Sequence, residues 1–138
     1  MVQEIRVRSA DWPERLDAYV ESRRNLPFAW GEQDCVLFAV DWVREATGVD
    51  LIPHLRGSWH DEVSALRVLK DVGGLRNMGE ILLGAPINTA FSGRGDLVVV
   101  DVTGRDGLGI CLGATIAAPG EVGLTIVPRS LARLAWRV

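Results

Sequence analysis

Cysteine and histidine are both scarce in this chain of 138 residues, which contains two of each. The cysteines, Cys35 and Cys111, stand far apart, match no zinc or redox spacing, and are too few for the disulfide framework of a small secreted domain. Reduced thiols are therefore expected, and with only His54 and His60 to add, no metal or cofactor is. Lysine is nearly missing as well, Lys70 being the single one among 15 basic residues. The net charge of −3 has no run of like charges behind it, which argues against a nucleic-acid footprint and against a polybasic membrane surface. No stretch approaches the ~18 apolar residues of a membrane span, and Met1-Val2-Gln3-Glu4-Ile5-Arg6 lacks the apolar centre of a signal peptide. The expectation is synthesis in the cytoplasm without membrane insertion.

What is present suits one ordinary globular domain over residues 1–138: 48% of the chain is hydrophobic and 24% charged, enough to bury a full core. The first half reads as helical. Asp11, with Pro13 and Glu14 behind it, signals a helix over about residues 11–24. A second helix is expected from Asp34 as N-cap to Gly48, with Cys35, Phe38, Ala39 and Trp42 on one face. A third is expected from about Ser58, with Asp61 in capping-box register, to Gly73-Gly74, and a short fourth from Leu75 to Leu83. From Gly95 onward the pattern changes to short β-prone runs between glycines, at residues 97–102, 108–112, 122–127 and 134–138. Helices first and strands second, with no linker or repeat, predict an α+β domain whose helices pack on one side of an antiparallel sheet of about four strands.

Cys35 is the residue with most chemical promise. It sits where a turn-rich approach, Phe28-Ala29-Trp30-Gly31-Glu32-Gln33-Asp34, meets the apolar face of the second helix. Unpaired backbone N–H groups and the positive end of the helix dipole at that position favour thiolate over thiol, which predicts a pKa below the usual value of roughly 8.5. The Asp34 carboxylate next door acts in the opposite sense. Cys111, inside an expected strand, reads as core. The five tryptophans read as core or rim packing, with Trp30 also able to line a groove over Cys35.

Three segments then resemble the NlpC-type cysteine peptidases of bacterial cell-wall peptides, and within them the phage tail-associated branch. Pro27-Phe28-Ala29-Trp30-Gly31 followed by Asp34-Cys35 resembles the family's approach to its catalytic helix. Gly95-Asp96-Leu97-Val98 resembles the turn and strand that precede the histidine strand. Gly107-Leu108-Gly109-Ile110-Cys111-Leu112-Gly113 and Ile116-Ala117-Ala118-Pro119-Gly120 resemble the histidine strand and the one after it. The resemblance implies a papain-like NlpC-type fold with Cys35 as a candidate or vestigial nucleophile.

It also implies that the helpers of that nucleophile are gone. The family's histidine base falls on Gly107, its third, orienting residue on Ala117, its tyrosine on Phe28, and the serine after the cysteine on Val36. Losing one member of such a unit costs orders of magnitude in rate. His54 and His60 lie between the second and third helices, away from the strand that faces the cysteine in the resembled fold. The resemblance thus implies a structural or assembly protein of a phage tail or tail tip, partnered by other tail proteins and residing in the virion tail after synthesis in the bacterial host cytoplasm. The alternative it implies is an active cysteine peptidase or amidase cutting peptidoglycan stem peptides during phage entry.

Overall fold

The computed structural model describes residues 6–102 and 104–138. Four helices come first, α1 (Trp12–Arg23), α2 (Cys35–Thr47), α3 (Glu62–Asp71) and α4 (Leu75–Leu83). Five strands follow, β1 (Leu97–Asp101), β2 (Asp106–Cys111), β3 (Thr115–Pro119), β4 (Leu124–Pro128) and β5 (Leu134–Trp136). They form one antiparallel sheet in the order β4-β3-β2-β1-β5.

The sheet therefore has five strands where the sequence pattern predicts about four. The additional one, β3, contains Ala117, Ala118 and Pro119, residue types depleted in strands, so local propensity hides it. Pairing on both sides makes it a strand nonetheless: Ile110 opposes Ala117 on β2, and Ala117 opposes Ile126 on β4. The β2–β3 ladder stops early for a related reason. The Leu112 N–H donates to the Thr115 carbonyl at 2.8 Å, so residues 110 and 117, and then 108 and 119, are the next positions at which hydrogen bonds are exchanged. Residue 119 is a proline and has no N–H to give the Leu108 carbonyl.

α2 is the axis of the domain. Phe38, Ala39, Trp42, Val43 and Ala46 are fully buried in one cluster with Leu97 and Val99 of β1 and Leu108 and Ile110 of β2. The Trp42 indole donates to the Gly95 carbonyl at 2.8 Å, which locks the helix to the turn that enters the sheet. α1 closes over α2 through Leu16, Tyr19 and Val20, and the Tyr19 hydroxyl donates to the Phe38 carbonyl at 2.7 Å. On the opposite face of the sheet Val98, Val100, Cys111, Ile116 and Ala135 form a second cluster, covered by Ile87, Val102, Val127 and Ala132. Burial on both faces explains why Leu97-Val98-Val99-Val100 is apolar without alternation.

Helix starts follow their side-chain chemistry more closely than their spacing. Asp11 does not cap α1; its carboxylate instead accepts from the Arg15 guanidinium at 2.8 Å, one turn along. α3 begins after Asp61 and not at Ser58. The Asp61 carboxylate accepts from the Ser64 N–H at 2.8 Å, and the Ser64 hydroxyl accepts from the Asp61 N–H at 3.2 Å, while the Ser58 hydroxyl donates to the Leu55 carbonyl. α4 can lie against β5 only because residue 79 is glycine: a Cβ there would meet the Trp136 ring at 2.4 Å. The two ends of the described chain are tied by the buried Asp96, which accepts from Arg8 at 2.9 Å and from the Val138 N–H at 3.1 Å.

Candidate functional site

The approach to α2 is built around Asp34. Its side chain accepts from the Leu37 N–H at 2.9 Å, which caps the helix as its sequence position predicts. The same carboxylate accepts from the Gly31 N–H at 2.9 Å and from the Trp59 indole at 2.7 Å. One buried side chain thereby joins the turn, the helix and the loop before α3. Gly31 is obligatory in this turn, since its φ is +78° and a Cβ would lie 2.7 Å from the Trp59 carbonyl.

Cys35 follows as the first residue of α2 and is partly exposed. Opposite it stands Gly107 on β2. A Cβ built at residue 107 would lie 3.5 Å from both the Cβ and the Sγ of Cys35, in ordinary contact. The position onto which the resemblance carries the histidine base is thus the one directly facing the thiol, and it has no side chain.

Cys35 opens into two depressions. An open groove of about 530 Å³ is lined by Phe28, Trp30, Gly107, Leu108, Ala118 and Glu121 beside the cysteine. Phe28 and Trp30 pack edge to face there, with ring centroids 4.7 Å apart. On the other side is an apolar slot of about 70 Å³, with Trp30, Val36, Trp59, Leu66, Leu69 and Met78 in its walls. Ala117 belongs to neither; it is fully buried in the core cluster and has no polar side-chain atom. Neither histidine lines the groove or the slot. His60 has 83% of its side chain exposed and lies 3.5 Å from Asp61, and His54 is exposed on the loop after α2.

Comparison with known families matches residues 7–138 to one described as a domain of unknown function, DUF6950. The chain belongs to that family. No curated protein matches it.

The chemistry at Cys35 runs against the activation its helix position predicts. Burial pushes the thiol pKa up, the Leu108 backbone N–H opposes this by hydrogen bonding to the sulfur, and the Asp34 carboxylate pushes it up again. Helix-terminal N–H groups of Cys35 and Val36 also favour thiolate, but they rank behind desolvation. The net direction is upward, toward the neutral thiol. Among the described residues no three His, Cys, Asp or Glu side chains come together as metal ligands.

Two parts of the DUF6950 site have no counterpart in the sequence reading. The slot is assembled from α3 and α4 residues, including Leu66, Leu69 and Met78, whose spacing alone reads as ordinary core. The open Leu108 carbonyl follows from Pro119, whose missing N–H matters only once residues 115–119 pair as a strand, which local propensity does not signal. A larger depression, about 690 Å³, lies away from Cys35 between α1 and α2 and is lined by Arg15, Arg23, Arg44 and Arg56 with Asp41 and Glu45. Its charges are largely matched internally: Arg56 pairs with Asp41 and Asp50, and Arg15 with Asp11 and Glu45.

Proposed function

We propose that the chain is a structural or assembly component of a phage tail or tail tip, built on an NlpC-like frame whose hydrolase site has lapsed. The observation that carries the loss of catalysis is Gly107 facing Cys35 with its Cβ position 3.5 Å from the sulfur. A thiol whose facing residue has no side chain, whose pKa is raised, and whose groove holds no histidine lacks the imidazole base that cysteine hydrolases use. The tail assignment rests on the resemblance of residues 27–120 to the tail-associated NlpC branch. Its partners under this reading are other tail proteins. Purified phage should contain the chain in the assembled tail, and phage carrying Cys35→Ala should infect normally. A loss of infectivity caused by that single substitution would sink the reading.

A second reading, a working cysteine peptidase or amidase on peptidoglycan stem peptides, is favoured by one feature: Cys35 is reachable from an open groove of suitable size for a peptide. It predicts that purified protein releases peptides from cell walls and that Cys35→Ala abolishes the release. Equal behaviour of the two proteins would exclude it.

A further inference from the structure

We infer that the groove and slot beside Cys35 form a binding site for an extended peptide segment of a partner protein, one that carries a medium-sized apolar side chain next to a basic residue. This deepens the proposed function and rests on it, since it names the use of a site that no longer performs chemistry.

Three independent features set the chemistry of the occupant. The slot walls are apolar, from Trp30, Trp59, Leu66, Leu69, Leu75 and Met78, and its volume of about 70 Å³ suits a leucine- or methionine-sized side chain. The Leu108 carbonyl on the groove wall faces Pro119 across the interrupted ladder and receives no N–H among the described residues, so it is open to a donor such as a peptide N–H. The charges at the rim select the flanking residue. Arg105 is held by Glu62 at 2.9 Å and Asp106 by Arg133 at 3.2 Å, whereas Glu121 has no ion-pair partner among the described residues. Among the described residues of the rim an occupant with carboxylates finds no free cation, and one with a lysine or arginine finds Glu121. The groove and the slot share Trp30, Cys35, Arg105 and Asp106, so a single segment can run along one while its side chain enters the other. Leu66, 44% exposed, forms part of the slot mouth without belonging to the main core.

The test titrates full-length protein with three synthetic peptides and follows tryptophan fluorescence, which Trp30 and Trp59 report. The probes are acetyl-Gly-Lys-Leu-Arg-Gly-amide, the same peptide with glycine for leucine, and the same peptide with glutamate for both basic residues. The leucine peptide should bind saturably; loss of the buried leucine side chain should weaken it at least about tenfold, and the glutamate exchange, which acts on an exposed charge, about twofold to fivefold. The protein variant Glu121→Lys, at an exposed position, should reverse the charge preference, and Leu66→Glu should abolish binding with circular dichroism unchanged. Equal binding of all three peptides, or no binding of any, overturns the inference. Cleavage of a peptide by the wild type and not by Cys35→Ala would instead overturn the lapsed-hydrolase reading, so the two failures are told apart.

Discussion

Gly107→His places an imidazole at a position that faces the Cys35 thiol. The backbone allows it: residue 107 is not among the glycines with positive φ, and the Cβ position lies at ordinary contact distance, 3.5 Å, from the Cys35 side chain. An ordinary thiol with a pKa of roughly 8.5 is about 3% ionised at pH 7, and Cys35, with its pKa raised by burial, lies below that. A neighbouring imidazolium brings reactive cysteines to a pKa of about 7 or lower, at which about half or more is thiolate, a gain of at least about 15-fold. Thiolates of lower pKa are weaker nucleophiles, and a fall of about 1.5 units with a Brønsted slope of about 0.45 returns roughly a factor of 5. The net expectation is alkylation at pH 7 about threefold faster or more, with the midpoint of the pH–rate profile lowered by at least about 1.5 units. The assay is iodoacetamide labelling of Cys35 across roughly pH 5–10, with Cys111 replaced by alanine in both proteins to leave one thiol. An unchanged midpoint in a folded variant would refute the claim that residue 107 faces the sulfur. Under the proposed NlpC-like reading, peptidase activity is not expected from this change alone, because Ala117 and Phe28 fall where that family has its orienting residue and tyrosine.

Three further outcomes follow from the same geometry. Asp34→Ala leaves the N–H groups of Gly31 and Leu37 and the Trp59 indole without their acceptor, and should lower stability by about 3–5 kcal/mol in urea unfolding; a loss below about 1 kcal/mol would contradict the linking role. Gly31→Ala forces a side chain into a positive-φ turn against the Trp59 carbonyl and should cost about 2–4 kcal/mol, measured as a fall in Tm, whereas Gly57→Ala, also at positive φ but with open space around it, should cost less. The Arg56 guanidinium hydrogen-bonds Asp50 and holds its carboxyl below the ordinary value. A lowered folded-state pKa means that this contribution is present above the unfolded carboxylate pKa and is lost as pH falls through the folded value. Stability of the wild type should therefore drop more steeply below about pH 4 than that of Asp50→Asn, and parallel curves would exclude the pairing as a source of acid sensitivity.

Elements with strong local chemistry are legible in the amino-acid sequence. Asp34 caps α2, Gly48 ends it in the left-handed conformation, and α4 spans Leu75–Leu83 as its pattern predicts, because each of these depends on a few neighbouring residues. Elements that depend on distant partners are not. β3 ends in three poor strand formers, Ala117, Ala118 and Pro119, and exists because β2 and β4 pair with it, and Asp11 deserts its capping position for an arginine one turn along. The tie that Asp96 makes between Arg8 and Val138, at the two ends of the described chain, leaves no trace in any of the three local segments.

The same division governs the site. The chain alone specifies Cys35 at a helix start, the glycine at 107 and the two histidines outside the sheet, since residue identity and helix capping are local matters. Only the tertiary structure decides what these mean together. Desolvation by the packed strand outweighs the helix terminus and raises the thiol pKa; the packing of β2 against α2 sets Gly107 against the sulfur; and α3, α4 and a proline-ended ladder make a groove and a slot from residues otherwise read as core. Ionisation and cavity shape depend on what surrounds a group in three dimensions, and those surroundings come from segments tens of residues apart in the chain.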